Sequence, residues 1–494
     1  MLTRRVDRRR LLGGALGGAG LLIVPPRTAF TYQANERLEL AVIGHIYNAG
    51  HFTTSAHIYE NVRLAALCDP EQAEIGKTLR AWRERAERGP AAAEANERRA
   101  AEYYGRLAES PPKVYSDPRR LLEQMGDRLD GLVVSVFDHL HGAICGPAIR
   151  AGKHVFSERP LGLTISDARA LRELAARHRV ATSIRNPGNA AGPFRRAIEL
   201  IREGAIGPVR EVHVWFFRAG PDHRQPPQGS SPVPEGLDWE AWLGPAASRP
   251  YHQAWTAYGH WRELSNGGIG TFGPHAANMA FMGLRVQDLW RPAAGGAPRT
   301  IRVEGRPERI NRLSYPRWEL IRWEVPARER EGETLPPVTF TWHQGPEGQL
   351  APGSLELITG KMREHGAAPE QAQGLLRDAG ALIIGSEGAI ATDSHNVVFT
   401  MLPEAKFRDL VQDRPLKLPS SQGHYRDWLL AIRGGAAPWA SFDYAGPLSE
   451  FLMLGNVATQ FEGALEYDPV AGKILSHPEA NEKLSWKYRE GWSL

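Results

Sequence analysis

Four short stretches carry side chains able to do chemistry. In LELAVIGHIYNAGHF (Leu38–Phe52) an apolar run enters Gly44, a loop follows, and a helix begins. This is the outline of a dinucleotide turn. Its first glycine makes the bend, its second admits the pyrophosphate, and its third packs helix on strand. Gly44, Ile46 and Ala49 occupy those positions. Alanine is acceptable at the third, whereas a β-branched Ile46 obstructs the phosphates unless the loop is displaced. Asp69 ends the next apolar run, in LAALCDP, where a carboxylate would hold a ribose hydroxyl. The second stretch, VSVFDHLHGAI (Val134–Ile144), gathers Asp138, His139 and His141. His-x-His hints at a metal, but no third ligand stands at a supporting spacing, so His139 reads as a solvated helix-start residue. In the third, GKHVFSERPLGLT, Glu158-Arg159-Pro160 follows an apolar run. The fourth, NGGIGTFGPHAANMAFMGL (Asn266–Leu284), is dense in glycine around Pro274-His275. Read as a helix start, it aims His275 at a site as an acid or base.

Such side chains need a frame. Leu38–Ile43 and Arg63–Leu67 read as strands around a helix near Ala49–Tyr59, and Glu71–Leu107 reads as a solvated helical insertion broken at Gly89-Pro90. Ser116-Asp117-Pro118 is a helix start. Asp130–Val136, Lys153–Phe156 and Val180–Ile184 are strands, separated by helices over His139–Ala151 and Leu163–Arg179. Alternating strand and helix predicts a doubly wound α/β domain with ligands at the carboxyl ends of its strands. After about residue 185 the pattern changes. REVHVWFF alternates like a half-buried strand, Pro221–Gly236 is loop, LDWEAWLG starts a helix, and ALIIGSEGAIATD is a hairpin. This half predicts an α+β domain with a mostly antiparallel sheet.

The chain has 494 residues and a net charge of +4. Residues 1–29 hold six arginines against Asp7, so the remainder is near neutral and offers no electrostatic case for nucleic acid. The leader DRRRLLGGALGGAGLLIVPP pairs arginines with a short, glycine-rich apolar core, which reads as a twin-arginine export signal over residues 1–34 rather than a membrane span. That route suits a protein folded around its cofactor before export to the periplasm. Two cysteines, Cys68 and Cys145, make no disulfide framework and read as buried thiols.

The four stretches, in this order, resemble the Gfo/Idh/MocA family of glucose–fructose oxidoreductase, inositol dehydrogenase and relatives. The resemblance extends over residues 36–494 through VYSDPRRLLE, FDHLHGAICGPAIRAGKHVFSERPLGLTISDARAL and RRAIELIREGAIGPVREVHVW, then PEGLDWEAWLGPAASRPYH, GHYRDWLLAIRGG and FDYAGPLSEFLMLGNVA. It implies an N-terminal Rossmann domain (35–185, with the insertion 71–107) and a C-terminal α+β domain (186–494) whose large open sheet covers the nicotinamide and often mediates homo-oligomers. It also implies NAD or NADP as cofactor and a sugar or cyclitol as substrate. By position it places Gly44, Ile46, Ala49 and Asp69 on the nucleotide. Ser135, Val136, Phe137 and Asp138 fall along the cofactor edge, and His141 near the nicotinamide. Glu158 and Arg159 fall on the family's Glu-Lys-Pro motif, Asn186 on a further cofactor segment, and Thr271 and His275 on its Asp-x-x-x-His segment. Three residues depart from the pattern: Ile46 for glycine, Arg159 for lysine and Thr271 for aspartate. Arginine does not give up its proton as a buried lysine can, and threonine cannot charge-stabilise His275.

Three functions follow. The first is an exported NAD(P)-dependent oxidoreductase acting on a sugar, with His275 taking the hydroxyl proton and Arg159 polarising the oxygen; Asp69 favours NAD, because a carboxylate repels a 2′-phosphate. The second is a redox-neutral NAD-dependent glycosidase. The third is a non-catalytic carbohydrate-binding protein on the same scaffold, with aromatic residues of Pro250–Trp261 stacking on sugar rings.

Overall fold

The computed structural model describes residues 37–44, 52–53, 55–59, 61–89, 94–222, 224–292, 299–330, 333–346, 349–411 and 415–494. The leader, Ile46 and Ala49 lie outside these residues, as do positions 50, 51 and 54 of the helix expected over 49–59. The described part of that stretch is helical at residues 52–53 and forms a single tighter turn at Ala56–Ile58.

Six strands form the first sheet: β1 (Leu38–Ile43), β2 (Val62–Cys68), β3 (Lys113–Tyr115), β4 (Gly131–Val134), β5 (His154–Ser157) and β6 (Thr182–Ile184). Their order is β3-β2-β1-β4-β5-β6, every pair parallel. Runs such as LELAVI and GLVV are buried almost throughout, as strands covered on both faces must be. The order reverses between β1 and β4, and that crevice is where a doubly wound sheet takes its ligand.

The second sheet has nine strands: β7 (Val209–Phe217), β8 (Ile301–Pro307), β9 (Glu319–Val325), β12 (Val338–Gly345), β13 (Ala379–Gly385), β14 (Ala389–Thr392), β15 (Phe399–Leu402), β16 (Ala464–Asp468) and β17 (Lys473–Ile474). A separate small hairpin pairs β10 (Arg328–Arg330) with β11 (Glu333–Leu335). The large sheet runs β15-β14-β13-β7-β12-β9-β8-β16-β17, and only β7 and β12 pair in parallel. The expected hairpin is β13–β14.

The helix Phe442–Ala458 joins the two sheets and is buried on every side, as its almost wholly apolar sequence requires. On one flank Phe451 stacks on Trp323 of β9, ring centroids 4.9 Å apart. On the other, the Leu161 N–H donates to Ser449 Oγ at 3.0 Å, and Arg169 pairs with the buried Glu450 at 3.0 Å. Residues 38–494 therefore pack as one unit.

Two expectations are corrected. The charged segment 71–107 is not a solvated insertion. Its helices, Gln72–Arg88 and Ala95–Glu109, bury Trp82, Tyr103 and Tyr104 beside β1 and β2, and Tyr104 donates to the Thr53 carbonyl at 2.7 Å. Only the outer face is charged, bridged by Arg85–Glu97 at 2.6 Å. A few large aromatic side chains per helix anchor it despite the polar majority. Nor does Pro274-His275 open a helix. The helix runs Gly267–Ala276, so both lie in its last turn. There the proline forfeits the backbone hydrogen bond that its N–H would have made one turn back. Among the described residues no helix is long and apolar enough to cross a membrane. Cys68 and Cys145 are free and buried, and burial pushes the Cys145 thiol up to about 12.

Candidate active site

Of the expected residues, Gly44, Asp69, Ser135 and Glu158 stand just past the ends of parallel strands, as does Arg185, and the backbone pins them there. Gly44 N–H donates to the Cys68 carbonyl at 2.7 Å, Asp69 to Tyr115 at 3.0 Å, and Ser135 to Ile43 at 2.8 Å. Glu158 donates to Val134 and Arg185 to Ser157, both at 2.8 Å. The sheet ladder thus extends one residue into the crevice and sets the side chains in a row.

Gly44 has φ +83°, and a Cβ there would lie 1.9 Å from the Ser135 carbonyl oxygen. The turn closes between β1 and β4 only with glycine. Asp69 is buried at the carboxyl end of β2, and one of its oxygens accepts the Glu71 N–H at 2.8 Å. A strand-end glycine and a carboxylate at the end of the next strand fit the ribose-phosphate half of a dinucleotide. Val136 and Phe137 follow Ser135, and Phe137 packs edge-on against Trp242 and Tyr258.

Asp138, expected along the cofactor edge, is tied across the crevice. Its carboxylate accepts the Tyr258 hydroxyl at 3.1 Å and the Asn266 N–H at 2.8 Å. Burial raises its pKa to about 6 against those hydrogen bonds. His139 is fully buried, not solvated, with both ring nitrogens facing carbonyl oxygens of Leu264 and Trp242. His141 is buried beside it; its Nδ1–H donates to the Pro160 carbonyl at 2.9 Å, and among the described residues its Nε2 meets no hydrogen-bond partner. Burial lowers the His141 pKa to about 4. The unfolded chain takes up this proton near pH 6.5, but the folded ring waits until about pH 4. Stability is therefore lost as pH falls through that window, at about 1.4 kcal/mol per pH unit from this residue. We expect His141→Gln to be about 2 kcal/mol less sensitive than the parent to a shift from pH 6.5 to 5, as urea unfolding at the two pH values would show.

The centre of the site is a charged cluster. Glu158 is buried, 2.9 Å from the Arg159 guanidinium and 3.7 Å from that of Arg185. Arg159 also donates from Nε to His275 Nε2 at 3.1 Å. The other ring nitrogen of His275 faces Asn186 Oδ1 at 3.3 Å, and the Asn186 amide donates to the Pro274 carbonyl, which fixes Oδ1 toward the ring. His275 thus holds its proton on Nδ1 and its lone pair on Nε2. Burial first, then Arg159, His395 and Arg185, hold its pKa well below the ordinary value. Thr271, one turn before His275, donates to the Gly267 carbonyl at 2.8 Å and so bonds its own helix, not the imidazole.

Sequence reasoning missed Arg185, Tyr258 and His395. Arg185 had a signal, since it directly follows β6 as Glu158 follows β5. Tyr258 sits between Asp138 and the Thr271 hydroxyl, within the segment read as sugar-stacking aromatics. Of that segment Trp261 is buried, in a cluster with Trp239 and Trp242, and the half-buried Tyr251, Trp255 and Tyr258 pack against it. His395 comes from the loop after β14, its ring 4.7 Å from that of His275. No local pattern marks it.

Residues 38–185 match the GFO_IDH_MocA family model, described as an oxidoreductase family with an NAD-binding Rossmann fold. Among curated proteins, 1,5-anhydro-D-fructose reductase of Ensifer adhaerens is 35% identical over 104 residues, 21% of this chain and 31% of the relative. An uncharacterized oxidoreductase of Schizosaccharomyces pombe is 33% identical over 105 residues, 21% of this chain and 28% of the relative. The chain thus spans less than a third of the length of these relatives. Over nearly the whole described chain the fold resembles aldose-aldose oxidoreductase from Caulobacter crescentus (TM-score 0.51, 16% identity, 87% of this chain and 99% of that one). It also resembles the WlbA dehydrogenase from Bordetella pertussis, solved with NADH and UDP-GlcNAcA (TM-score 0.50, 14% identity, 87% of this chain and 98% of that one). At such identities the likeness shows the fold alone. The strand order, the Gly44 turn and the family match agree: residues 38–185 form a doubly wound Rossmann-type domain that matches the GFO_IDH_MocA oxidoreductase model with its NAD-binding Rossmann fold.

Proposed function

We propose that the protein is an exported NAD(P)-dependent oxidoreductase acting on a hydroxyl of a sugar or sugar derivative. The observation that carries this reading is the Arg159–His275 pair at the carboxyl ends of the parallel strands, Nε to Nε2 at 3.1 Å. A bound dinucleotide would supply the hydride acceptor, with Gly44 and Asp69 placed to hold its ribose-phosphate half. An alcohol oxygen that displaced this direct hydrogen bond between Arg159 and His275, with the two side chains moving apart, would receive a hydrogen bond from Arg159 and pass its proton to the freed His275 Nε2. Arg159 stays charged throughout, so it polarises and does not take the proton. Asn186 keeps the Nδ1 proton in place, which leaves Nε2 as the base. Glu158 balances the guanidinium in buried surroundings. The sugar-acting names among its relatives and structural neighbours support the substrate class. The twin-arginine leader supports export, and tight nucleotide retention suits a compartment poor in free NAD. The pair also favours this reading over a glycosidase, whose elimination needs a second base, and over a purely binding scaffold.

The test is turnover of a panel of aldoses, ketoses and uronates with NAD and with NADP. Asp69 near the ribose position predicts NAD as the better cofactor. Asp69→Ala is expected to narrow the preference by about tenfold, or 1.4 kcal/mol, read as the ratio of the two dissociation constants by calorimetry. An unchanged ratio would place Asp69 away from the ribose.

A further inference from the structure

The outward face of the nine-stranded sheet carries a second chemical constellation, distinct from the crevice. The Ser354 hydroxyl lies 2.7 Å from His343 Nδ1. His343 Nε2 lies 3.0 Å from His213 Nδ1, and His213 Nε2 lies 2.8 Å from Glu211 Oε1. Lys361 holds the other Glu211 oxygen at 3.1 Å. Once Glu211 is a carboxylate, every proton in the chain is directed. His213 must donate to it from Nε2, His343 must donate to His213 Nδ1, and His343 Nδ1 is left to accept the Ser354 hydroxyl. The hydrogen bond from His213, with Lys361 beside it, holds the Glu211 pKa down at about 2, so the carboxylate is present at all ordinary pH.

Sequence and fold explain how these residues meet. Glu211 and His213 alternate on β7, His343 lies on the neighbouring β12, and the two strands pair in parallel. All three side chains face away from the main core, where Val212, Val214 and Trp342 point. Ser354 opens the helix Ser354–Glu364, which packs Ile358 and Met362 over this face against Trp215 and Leu382. Gly353 precedes it at φ +78°, so the chain enters the helix through a left-handed turn that presents Ser354 at the helix start. The Ser354 N–H donates to the Ala351 carbonyl at 3.0 Å, and among the described residues no side chain caps the start, so the next N–H groups, of Leu355 and Glu356, remain as donors for a developing oxyanion. A cavity of about 590 Å³ opens beside the cluster, lined by Ser354, His343, Thr339, Thr341, Arg306 and Arg322.

We propose that Ser354, His343, His213 and Glu211 form a second, hydrolytic site that cleaves an acyl ester whose polar alcohol portion carries an anionic group. Ser354 Oγ bonds to the acyl carbon as its proton passes to His343 Nδ1. The His343 Nε2 proton shifts toward His213, and the positive charge comes to rest against Glu211. This answers a physical difficulty: His343 is buried, and burial holds its pKa well below the ordinary value, so a lone imidazolium there would be costly. The bond from the acyl carbon to the leaving oxygen then breaks, and that oxygen takes the proton from His343. Water attacks the acyl-serine, gives a proton to His343 and releases the carboxylic acid, which restores Ser354. Three arginines in the lining, Arg210, Arg306 and Arg322, outnumber its two carboxylates, Glu211 and Glu304, and with Thr339 and Thr341 suit a polar, acidic leaving alcohol.

The full chain should be treated with a fluorophosphonate, mapped by peptide mass spectrometry, and assayed with p-nitrophenyl acetate. One phosphonyl group on Ser354 is expected. Hydrolysis should fall at least 100-fold in Ser354→Ala and about tenfold in Glu211→Gln, with nucleotide binding at the Rossmann crevice unchanged in both. Absence of labelling, labelling at another residue, or full hydrolysis by Ser354→Ala would overturn the proposal. If Ser354→Ala fails to fold, the labelled residue in the parent protein decides alone.

Discussion

His275→Gln is expected to lower kcat by about 10²- to 10⁴-fold on any sugar the parent oxidises, with the dissociation constant for nucleotide unchanged. Glutamine keeps an oxygen for the Arg159 Nε–H but cannot take a proton. The variant therefore separates proton transfer from the hydrogen bond that orients the guanidinium. Because Arg159, Arg185 and burial keep His275 neutral, the parent should show a flat rate profile across neutral pH, falling only in acid. Equal turnover by His275→Gln would mean that the hydroxyl proton leaves by another route, for which His395, its ring 4.7 Å from that of His275, and the Tyr258–Asp138 pair are candidates. The companion change Arg159→Met strips the closer cation from the buried Glu158 and should cost about 3 kcal/mol of stability. That lies at the low end of such losses because Arg185 remains 3.7 Å away.

Gly44→Ala should abolish nucleotide binding and destabilise the fold together. The new Cβ would stand 1.9 Å from the Ser135 oxygen, 2.7 Å from its carbon and 3.0 Å from Val136 Cγ1. None of these can step aside, since Ser135 is bonded to Ile43 and Gly44 to Cys68. Left-handed backbone alone costs an L-residue about 1–3 kcal/mol, and relieving the clash requires parting β1 from β4. A loss of about 3 kcal/mol or more in urea unfolding is expected, with at least a 100-fold loss in calorimetric nucleotide affinity. A variant of full stability that merely binds less tightly would show that the turn closes differently.

The parallel sheet was legible because a strand covered on both faces must be largely apolar, and Gly131–Val134 and, apart from Glu39, Leu38–Ile43 are. Residues directly after those runs, Gly44, Asp69, Ser135 and Glu158, could then be placed at one edge. The second sheet showed through the alternation of Val209–Phe217 and the hairpin of β13 and β14. Contacts between distant segments were not legible. Arg159 meets His275 across 116 residues and Tyr258 meets Asp138 across 120, and neither pairing leaves a periodic trace. The same holds for Ser354 and His343, eleven residues apart but joined by a turn whose geometry rests on Gly353. The helices of 72–109 were misread because charge dominates their composition, while Trp82 and Tyr104 decide their placement.

The meaning of Arg159 changed most. As a substitution in a motif it suggested an eroded site. In the structure it is the donor that fixes the lone pair of His275 and the charge that balances Glu158. The departure is thus built into a connected network.

The most direct test of the central claim is native mass spectrometry of the protein purified without added nucleotide, followed by titration with NAD and NADP. The account predicts one dinucleotide per chain, retained or readily loaded, together with the subunit count of any oligomer. A chain that carries none and takes up neither dinucleotide at millimolar concentration would contradict it.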